Sequence, residues 1–248
     1  MSDLPDAIIL CGGAGLRLRS VIGDAPKGMA EVVGRPFLEL LLQQLQSWGF
    51  QRLILAVGYQ REAIRAYFGD SAHGLSINYS DEGAPLGTGG ALRNALDLIV
   101  SNRVLIMNGD SYTDVDLRAF VSDHESSGAE GAVVVVSADG RDDCGTVSVD
   151  SNWQLTGFLE KDGSAEALYI NAGIYLISRP MLTEIQPGVQ ISLEKELFPG
   201  WIAQGRELRA FMSRGTCVDI GTPERYRVAQ ALLAKFMAAP ITAGGQRG

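Results

Sequence analysis

Short apolar, β-branched segments alternate with segments of helical periodicity through the first half of this chain. Each segment of the first type is followed by one of the second type before the next begins. Strand–helix alternation of this kind requires parallel strands, with helices covering both faces of one sheet. The periodicity predicts strands at residues 7–11, 52–58, 76–80, 103–107 and 132–137, and helices at 36–48, 61–67, 88–100 and 117–125.

The second half has a different pattern from about residue 138. It predicts strands at 145–150, 155–160, 169–177 and 208–213, and helices at 179–185, 193–204 and 223–237, with Thr222 as the last N-cap. No Pro-, Ser- or Gly-rich linker separates the halves, and 248 residues with 46% hydrophobic content suffice for one core. The predicted fold is α/β, a Rossmann-like doubly wound mixed sheet in a single domain over residues 1–238, with a flexible tail at 239–248.

Composition excludes several classes of protein. A net charge of -8 disfavours a nucleic-acid binder, since phosphate backbones must be neutralised by Lys and Arg. Cys11, Cys144 and Cys217 form no CxxC pair, which disfavours a zinc knuckle or a disulfide framework and fits a reducing compartment. No membrane-spanning segment and no signal peptide are recognisable, so a cytoplasmic location without membrane contact is predicted.

The first predicted strand leads into a glycine cluster, LCGGAGLRLRS. A dinucleotide fingerprint would need a third glycine where Leu18 stands, and the G-x-x-x-x-G-K-[ST] pattern of a P-loop is absent. Three glycines in four residues still exceed what a turn requires, and they let backbone N–H groups approach an anion. Since the guanidinium fork of Arg17 suits phosphate oxygens, this loop is predicted to bind phosphate.

Lys27 follows Pro26 on a predicted loop. A solvated surface lysine is the commonest situation for this residue type. A cation at the phosphate site is the other interpretation, and spacing alone does not choose between the two.

The stretch LCGGAGLRLRS…APKGMAEVVGRPFLE resembles the signature of sugar-1-phosphate nucleotidylyltransferases. That signature is G-G-x-G-x-R-L-x-P, then P-K-P, then G-[KR]-P-[FLM]. The agreement covers Gly12, Gly13, Gly15, Arg17, Leu18, Pro26, Lys27, Gly34, Arg35 and Pro36. Leu16 replaces the usual threonine, Ser20 a proline, and Gly28 the second proline. The resemblance implies a nucleotide-diphospho-sugar transferase fold, with a nucleotide-binding half at 1–137 and a sugar-phosphate-binding half at 138–238.

The segment EGAPLGTGGALRNAL resembles the family's base-reading residue followed by L-G-T-x-G. Glu82 stands where uridylyl- and thymidylyltransferases usually carry glutamine, and the surrounding pattern resembles GDP-sugar pyrophosphorylases. A carboxylate only accepts hydrogen bonds, and guanine offers two adjacent donors, N1–H and the N2 amino group. GTP is therefore the predicted nucleotide; alternatively, Glu82 points to solvent and backbone groups read the base. The glycines at 87, 89 and 90 are predicted to let the backbone lie close to the nucleoside.

Two aspartates are predicted to hold Mg²⁺. Asp110 ends the strand in RVLIMNGDSYTDVDL, and Mg²⁺ takes one or two carboxylates beside phosphate oxygens. One of Asp114 and Asp116 is expected to cap the next helix instead. CVDIGTPERY resembles the family's D-[IT]-G-T-x-E, which implies that Asp219 is the second ligand. The nucleotide-binding residues that the resemblance implies are Leu10, Gly12, Gly13, Ala14, Gly15, Arg17, Glu82, Pro85, Gly87, Thr88, Asn108 and Gly109.

The second half resembles the family's sugar-phosphate site. CGTVSVD matches YG-x-V with Cys144 in the place of the aromatic residue, GFLEKDG matches F-x-E-K, and YINAGIYLIS matches N-x-G-I-Y. ISLEKELFP resembles S-x-E-x-[DE]-x-F-P, where Glu194 is interpreted as structural. The residues implied for sugar phosphate are Gly145, Glu160, Lys161, Asn171 and Gly173.

The resemblance implies transfer of a nucleotidyl group from GTP to a sugar 1-phosphate, with Mg²⁺ as cofactor and Arg17, Lys27 and Asp110 as catalytic residues. Within the family the chain most resembles guanylyltransferases for D-glycero-D-manno-heptose 1-phosphate, although enzymes for other hexose, heptose or cyclitol phosphates share the pattern. A catalytically dead sugar-nucleotide sensor, a cytidylyl- or molybdopterin-type transferase and a Rossmann oxidoreductase are the alternatives. A homo-oligomer is left open.

Overall fold

The computed structural model describes residues 4–139, 141, 144–159 and 168–238, with side chains through 235. Its strands are β1 (Asp6–Leu10), β2 (Glu31–Val32), β3 (Arg35–Pro36), β4 (Arg52–Val57), β5 (Ser71–Ala72), β6 (Leu75–Asp81), β7 (Arg103–Asn108), β8 (Ser111–Thr113), β9 (Gly131–Ser137), β10 (Thr146–Val149), β11 (Leu155–Leu159), β12 (Tyr169–Ser178), β13 (Leu208–Met212) and β14 (Cys217–Asp219). Its α-helices are α1 (Arg19–Ile22), α2 (Phe37–Ser47), α3 (Arg61–Phe68), α4 (Gly87–Asn94), α5 (Leu117–Ser127), α6 (Arg179–Thr183), α7 (Phe198–Ala203) and α8 (Pro223–Ala238).

One large mixed sheet organises the fold. Its order is β11-β10-β12-β7-β1-β4-β6-β5, with β9 also paired to β12 and β13 paired to β9. Strands β7, β1, β4 and β6 are mutually parallel, whereas β12 runs antiparallel to β7 and joins the second half to the first. The predicted doubly wound mixed sheet in a single domain is confirmed.

The sheet is buried on both faces, as parallel strands with helices on either side require. Ala7 and Ile9 of β1 belong to one apolar cluster, and Ile8 between them belongs to the other. The same alternation occurs in β7, where Leu105 and Ile106 point to opposite faces. Near-continuous apolar runs in the sequence therefore correspond to strands with two buried sides.

Helix ends differ from the periodic pattern in two places. The helix predicted at 88–100 is α4 followed by a 3₁₀ turn at Leu96–Leu98, a tightening that is frequent at helix C-termini. The helix predicted at 193–204 is a π-helical turn at Leu193–Leu197 followed by α7. Pro199 at the start of α7 has no amide to donate into the preceding turn, so one regular helix does not run through it.

Short strands and the described limits account for the other differences. The two- and three-residue strands β2, β3, β5, β8 and β14 are too short to show periodicity. The last residue of the strand predicted at 155–160 and the predicted tail at 239–248 lie outside the described residues. Both expected caps are confirmed: Asp116 Oδ1 accepts from Ala119 N at 2.8 Å, and Thr222 Oγ1 accepts from Arg225 N at 3.3 Å.

Within the described part of the chain, none of the helices combines the length and the apolar character that crossing a bilayer would require.

Candidate active site

A cavity of about 350 Å³ opens at the carboxyl ends of the parallel strands. Leu10 pairs in register with Asn108 of β7 and with Ala56 of β4, so the segments after these strands converge at one sheet edge. Ligands of open α/β sheets bind in this position. The cavity is lined by Leu10, Cys11, Gly12, Gly13, Lys27, Gly28, Glu82, Pro85, Gly87, Thr88, Ala91, Asn108, Gly109, Asp110 and Gln190.

The glycine loop is tightly placed at the floor of this cavity. Gly12 O accepts from Tyr59 N at 3.0 Å, and a Cβ atom on Gly12 would lie 2.8 Å from Glu82 Oε1. Gly15 has φ +59°, and a Cβ there would lie 2.9 Å from Lys27 Cβ. Within the described chain, no hydrogen bond takes the amide of Gly13. Close approach at Gly12 and the left-handed conformation of Gly15 therefore explain why these two positions are glycine.

Part of the predicted phosphate loop lies beside the cavity and does not line it. Gly12 and Gly13 line the cavity, whereas Ala14 and Gly15 are not among its lining residues. Arg17 is exposed on a 3₁₀ helix, Leu16–Leu18, that continues from the loop. The structure therefore does not bring Arg17 into the cavity lining.

Lys27 lines the cavity and is not a solvated surface lysine. Pro26 starts a short 3₁₀ helix, Lys27–Met29, that packs under the cavity, and the Lys27 side chain is only 14% exposed. Its Nζ donates to Asp110 Oδ2 in a direct ion pair. The pairing excludes a solvated surface lysine, because the Asp110 carboxylate holds the ammonium at the cavity wall, and the cation at a phosphate site stays a prediction.

The departure at Gly28 has little steric meaning. Gly28 is buried and lines the cavity, and a Cβ there would meet Leu38 Cβ at 3.5 Å and Gly109 O at 3.7 Å. Both distances are ordinary van der Waals contacts, so the Cβ atom of a larger residue would fit at this position. Nothing in the structure explains Ser20, which is exposed on α1.

The two predicted metal-binding aspartates are neighbours. Asp219 of β14 pairs with Ser111 of β8, and Ile220 N donates to Asp110 O at 2.9 Å. Asp219 Oδ2 accepts from Arg225 at 2.9 Å. Their side chains are 37% and 26% exposed, so both carboxylates remain reachable from solvent.

Glu82 faces the cavity. Its Oε2 accepts from Leu86 N at 3.1 Å, and its Oε1 lies against the glycine loop at Gly12. Burial raises the pKa of this carboxyl above its ordinary value of 4.5, and the hydrogen bond from Leu86 opposes that shift only in part. The alternative in which Glu82 points to solvent does not describe this structure.

Two of the glycines after Glu82, Gly89 and Gly90, have a different role from the predicted one. A Cβ on Gly90 would lie 2.5 Å from Val189 O, and a Cβ on Gly87, which has φ +71°, would lie 2.6 Å from Ile191 O. Gly89 N also donates to Ile191 O at 2.9 Å. Gly89 and Gly90 are glycine because the 189–191 backbone packs on them, whereas Gly87 and Thr88 also line the cavity.

The predicted sugar-phosphate residues are only partly described. Glu160 and Lys161 lie outside the described residues. Gly145 is buried, and its carbonyl accepts from Asn171 N at 2.9 Å. Asn171 Oδ1 in turn accepts from Gly173 N at 2.9 Å. Gly173 has φ +73° and packs on the side chain of Asn108, so its glycine is required by the backbone.

Sequence reasoning missed four residues that line the cavity: Cys11, Gly28, Ala91 and Gln190. Cys11, Gly28 and Ala91 lie inside the quoted motifs at positions that gave no functional signal, and Gln190 reaches the cavity because its segment packs on α4. Burial, and secondarily the charge of Glu82, raises the pKa of the Cys11 thiol to about 12, so it stays protonated and is no nucleophile. The sequence also did not indicate Arg225, because its ion pair with Asp219 forms across the turn between β14 and α8.

Asn108 has a buried side-chain oxygen, Oδ1, with no hydrogen-bond partner among the described residues. Buried polar atoms are rarely left without one. Asn108 also lines the cavity, where the resemblance of the N-G-D segment implied a nucleotide-binding residue.

Comparison with known proteins agrees with this geometry. Residues 6–235 match the model of the family described as nucleotidyl transferase. D-glycero-alpha-D-manno-heptose 1-phosphate guanylyltransferase of Aneurinibacillus thermoaerophilus is 36% identical over 232 residues, covering 94% of this chain and 100% of that protein. Mannose-1-phosphate guanylyltransferase of Mycobacterium tuberculosis is 34% identical over 245 residues, covering 98% and 68%.

A solved structure has the same fold. HddC from Yersinia pseudotuberculosis, complexed with GMP-PN, superposes with a TM-score of 0.81 at 31% identity, covering 93% of this chain and 100% of HddC. The resemblance drawn from the glycine loop and the later motifs is thus confirmed at the level of the family. With a matching family model over nearly its whole length, the chain belongs to the nucleotidyl transferase family.

Proposed function

We propose that this enzyme transfers a guanylyl group from GTP to a sugar 1-phosphate, releasing pyrophosphate. The position of the Glu82 carboxylate, in the cavity wall against the glycine loop, is the observation that supports guanine as the base. An acceptor-only group in that place matches the two adjacent donors of guanine and would repel the carbonyls of uracil or thymine. The guanylyltransferases among its relatives support the same choice.

The proposed sugar is D-glycero-D-manno-heptose 1-phosphate. It is the substrate named for a relative that this chain covers from end to end. Mannose 1-phosphate is a second candidate. It is the substrate named for the Mycobacterium tuberculosis relative, of which this chain covers 68%. Gly145, Glu160, Lys161, Asn171 and Gly173 are the residues proposed to surround the sugar phosphate.

The proposed reaction is an in-line displacement. A phosphate oxygen of the sugar 1-phosphate attacks the α-phosphorus of GTP, and the bond to the β-phosphate oxygen breaks with its electron pair leaving on pyrophosphate. Such transfers need positioning and charge neutralisation more than covalent help. The loop amides and Arg17 are proposed to bind the departing pyrophosphate, and Lys27 to hold the incoming phosphate and the α-phosphate.

The donor set beside Lys27 fits Mg²⁺. Asp110 and Asp219 lie side by side on partly exposed strand ends, and within the described chain no third carboxylate, His or Cys completes an all-protein cluster. Mg²⁺ is usually bound by one or two carboxylates together with substrate phosphates and water. When bound there, it would neutralise charge on the reacting phosphates. Arg225 holds the Asp219 carboxylate in place, and Lys27 does the same for Asp110.

The test is pyrophosphate release from ATP, GTP, CTP, UTP and dTTP against a panel of hexose and heptose 1-phosphates with Mg²⁺. Fast release with GTP and the heptose 1-phosphate is expected, with weaker release from mannose 1-phosphate. Faster turnover of UTP or dTTP would contradict the base assignment. Nucleotide binding without release from any pair would favour the non-catalytic sensor instead.

A further inference from the structure

A buried carboxylate lies between the two halves of the site and outside the cavity lining. Glu194, in the π-helical turn Leu193–Leu197, is 8% exposed. It accepts three hydroxyl hydrogen bonds, from Thr88 at 2.6 Å, Tyr175 at 3.1 Å and Ser192 at 3.1 Å. Glutamate is almost never fully buried without a partner, and within the described chain the partners of Glu194 are hydroxyls and no cation.

Each end of this arrangement reaches a different part of the site. Thr88 Oγ1 accepts from Leu193 N at 2.8 Å and donates to Glu194 Oε2, and Thr88 itself lines the cavity. Tyr175, on β12, donates to Glu194 Oε1 and accepts from Asn171 Nδ2 at 2.7 Å. A continuous chain of hydrogen bonds therefore runs from Thr88 through Glu194 and Tyr175 to Asn171.

The amide orientation of Asn171 follows from the backbone of Gly173. Gly173 N can only donate, so the atom of Asn171 that it meets is the amide oxygen, and the amide nitrogen faces Tyr175. The Tyr175 oxygen accepts from that nitrogen and donates onward to Glu194 Oε1. An amide at position 194 can accept on one side only, and its two orientations would deprive either Thr88 or Tyr175 of an acceptor, so both ends would be disturbed.

We propose that Glu194 is a positioning residue that couples the nucleotide and sugar-phosphate subsites. This inference rests on the proposed function, because it assigns Thr88 to the nucleotide and Asn171 to the sugar phosphate. The carboxylate fixes the Thr88 hydroxyl at the nucleotide wall and, through Tyr175, fixes the amide of Asn171. Thr88 and Tyr175 each bond Glu194 through one hydroxyl group. Removing either hydroxyl therefore breaks the hydrogen bond to one subsite and leaves the other in place.

The experiment measures KM for GTP and for D-glycero-D-manno-heptose 1-phosphate in four variants. Tyr175→Phe removes the hydrogen bond to Asn171. Loss of this one bond should raise KM for the sugar phosphate about tenfold. KM for GTP should stay within about twofold of the wild-type value. Thr88→Val should do the reverse. Glu194→Gln should raise both values. Ser192→Ala removes the third donor, which reaches neither subsite, and should leave both values within about twofold.

Two results would overturn the coupling. The first is unchanged KM values in folded Tyr175→Phe and Glu194→Gln enzymes, checked by thermal melting. The second is an equal loss of kcat in all four variants, which a merely structural role would produce. If Glu194→Gln does not fold, the opposite KM effects expected of Tyr175→Phe and Thr88→Val still test the coupling, and their absence would contradict it. Failure of the proposed function is separate, because it would show as absent pyrophosphate release in the wild-type enzyme.

Discussion

The two halves of the site are built in different ways. In the first half, Leu10, Asn108 and their following loops meet because parallel strands end at one edge of the sheet. In the second half, Asn171 is oriented by Tyr175 and, through it, by Glu194, which also bonds Thr88 across more than one hundred residues. The parallel sheet therefore brings site residues together by its topology, whereas the mixed region positions them by side-chain hydrogen bonds.

This difference explains how much could be predicted from sequence. The strands with two buried faces and the residues at their ends followed from apolar runs and glycines. Spacing alone left Lys27 open, the resemblance implied a catalytic role, and only the structure shows its pairing with Asp110. Gly89 and Gly90 were misassigned, because a glycine that faces a ligand and a glycine that faces another segment look alike in sequence. The role of Glu194 as a link was invisible, because its partners are distant hydroxyls.

The largest effect is expected in the first half, at the ion pair beside the reacting phosphates. Lys27→Ala or Asp110→Asn should lower kcat at least about 10²-fold, as for other lost charge-stabilising groups. Steady-state pyrophosphate release with GTP measures it. Arg206→Ala, which breaks surface ion pairs with Glu130 and Glu184, is the control and should retain full activity. An unchanged kcat in either site variant would remove these residues from the mechanism.

Base selection is the next largest effect. Glu82→Gln replaces an acceptor-only group by an amide that can also donate, so the ratio of kcat/KM for GTP to that for UTP should fall about tenfold or more. Competition between the two nucleotides in one reaction measures the ratio directly. A ratio that stays at the wild-type value would mean that other groups read the base.

Packing between the halves can be tested by stability alone. Gly90→Ala would place a Cβ 2.5 Å from Val189 O and should destabilise the fold by about 1–3 kcal/mol. Gly200→Ala in α7 has no neighbour within 4 Å of the new Cβ and should be neutral or slightly stabilising. Denaturant unfolding of both variants makes the comparison. Equal stabilities would show that residues 189–191 do not hold α4 as described.

The smallest expected effect is a pH dependence at Glu82. Its pKa is raised by burial, so the carboxyl takes up a proton at a higher pH than an exposed glutamate does. The protonated form presents a donor to guanine, and KM for GTP should therefore rise as the pH falls toward and through this raised pKa. Glu82→Gln should lack this acidic limb. A wild-type KM that is flat across the acidic range would argue against contact between Glu82 and the base.

The most direct test of guanylyl transfer at this cavity is identification of the product. GTP, D-glycero-D-manno-heptose 1-phosphate and Mg²⁺ are incubated with wild-type enzyme or with Lys27→Ala, and the mixture is analysed by mass spectrometry. The account predicts a GDP-heptose that accumulates with equimolar pyrophosphate in the wild-type reaction and is nearly absent in the variant. Pyrophosphate without GDP-sugar, or equal product from both enzymes, would contradict it.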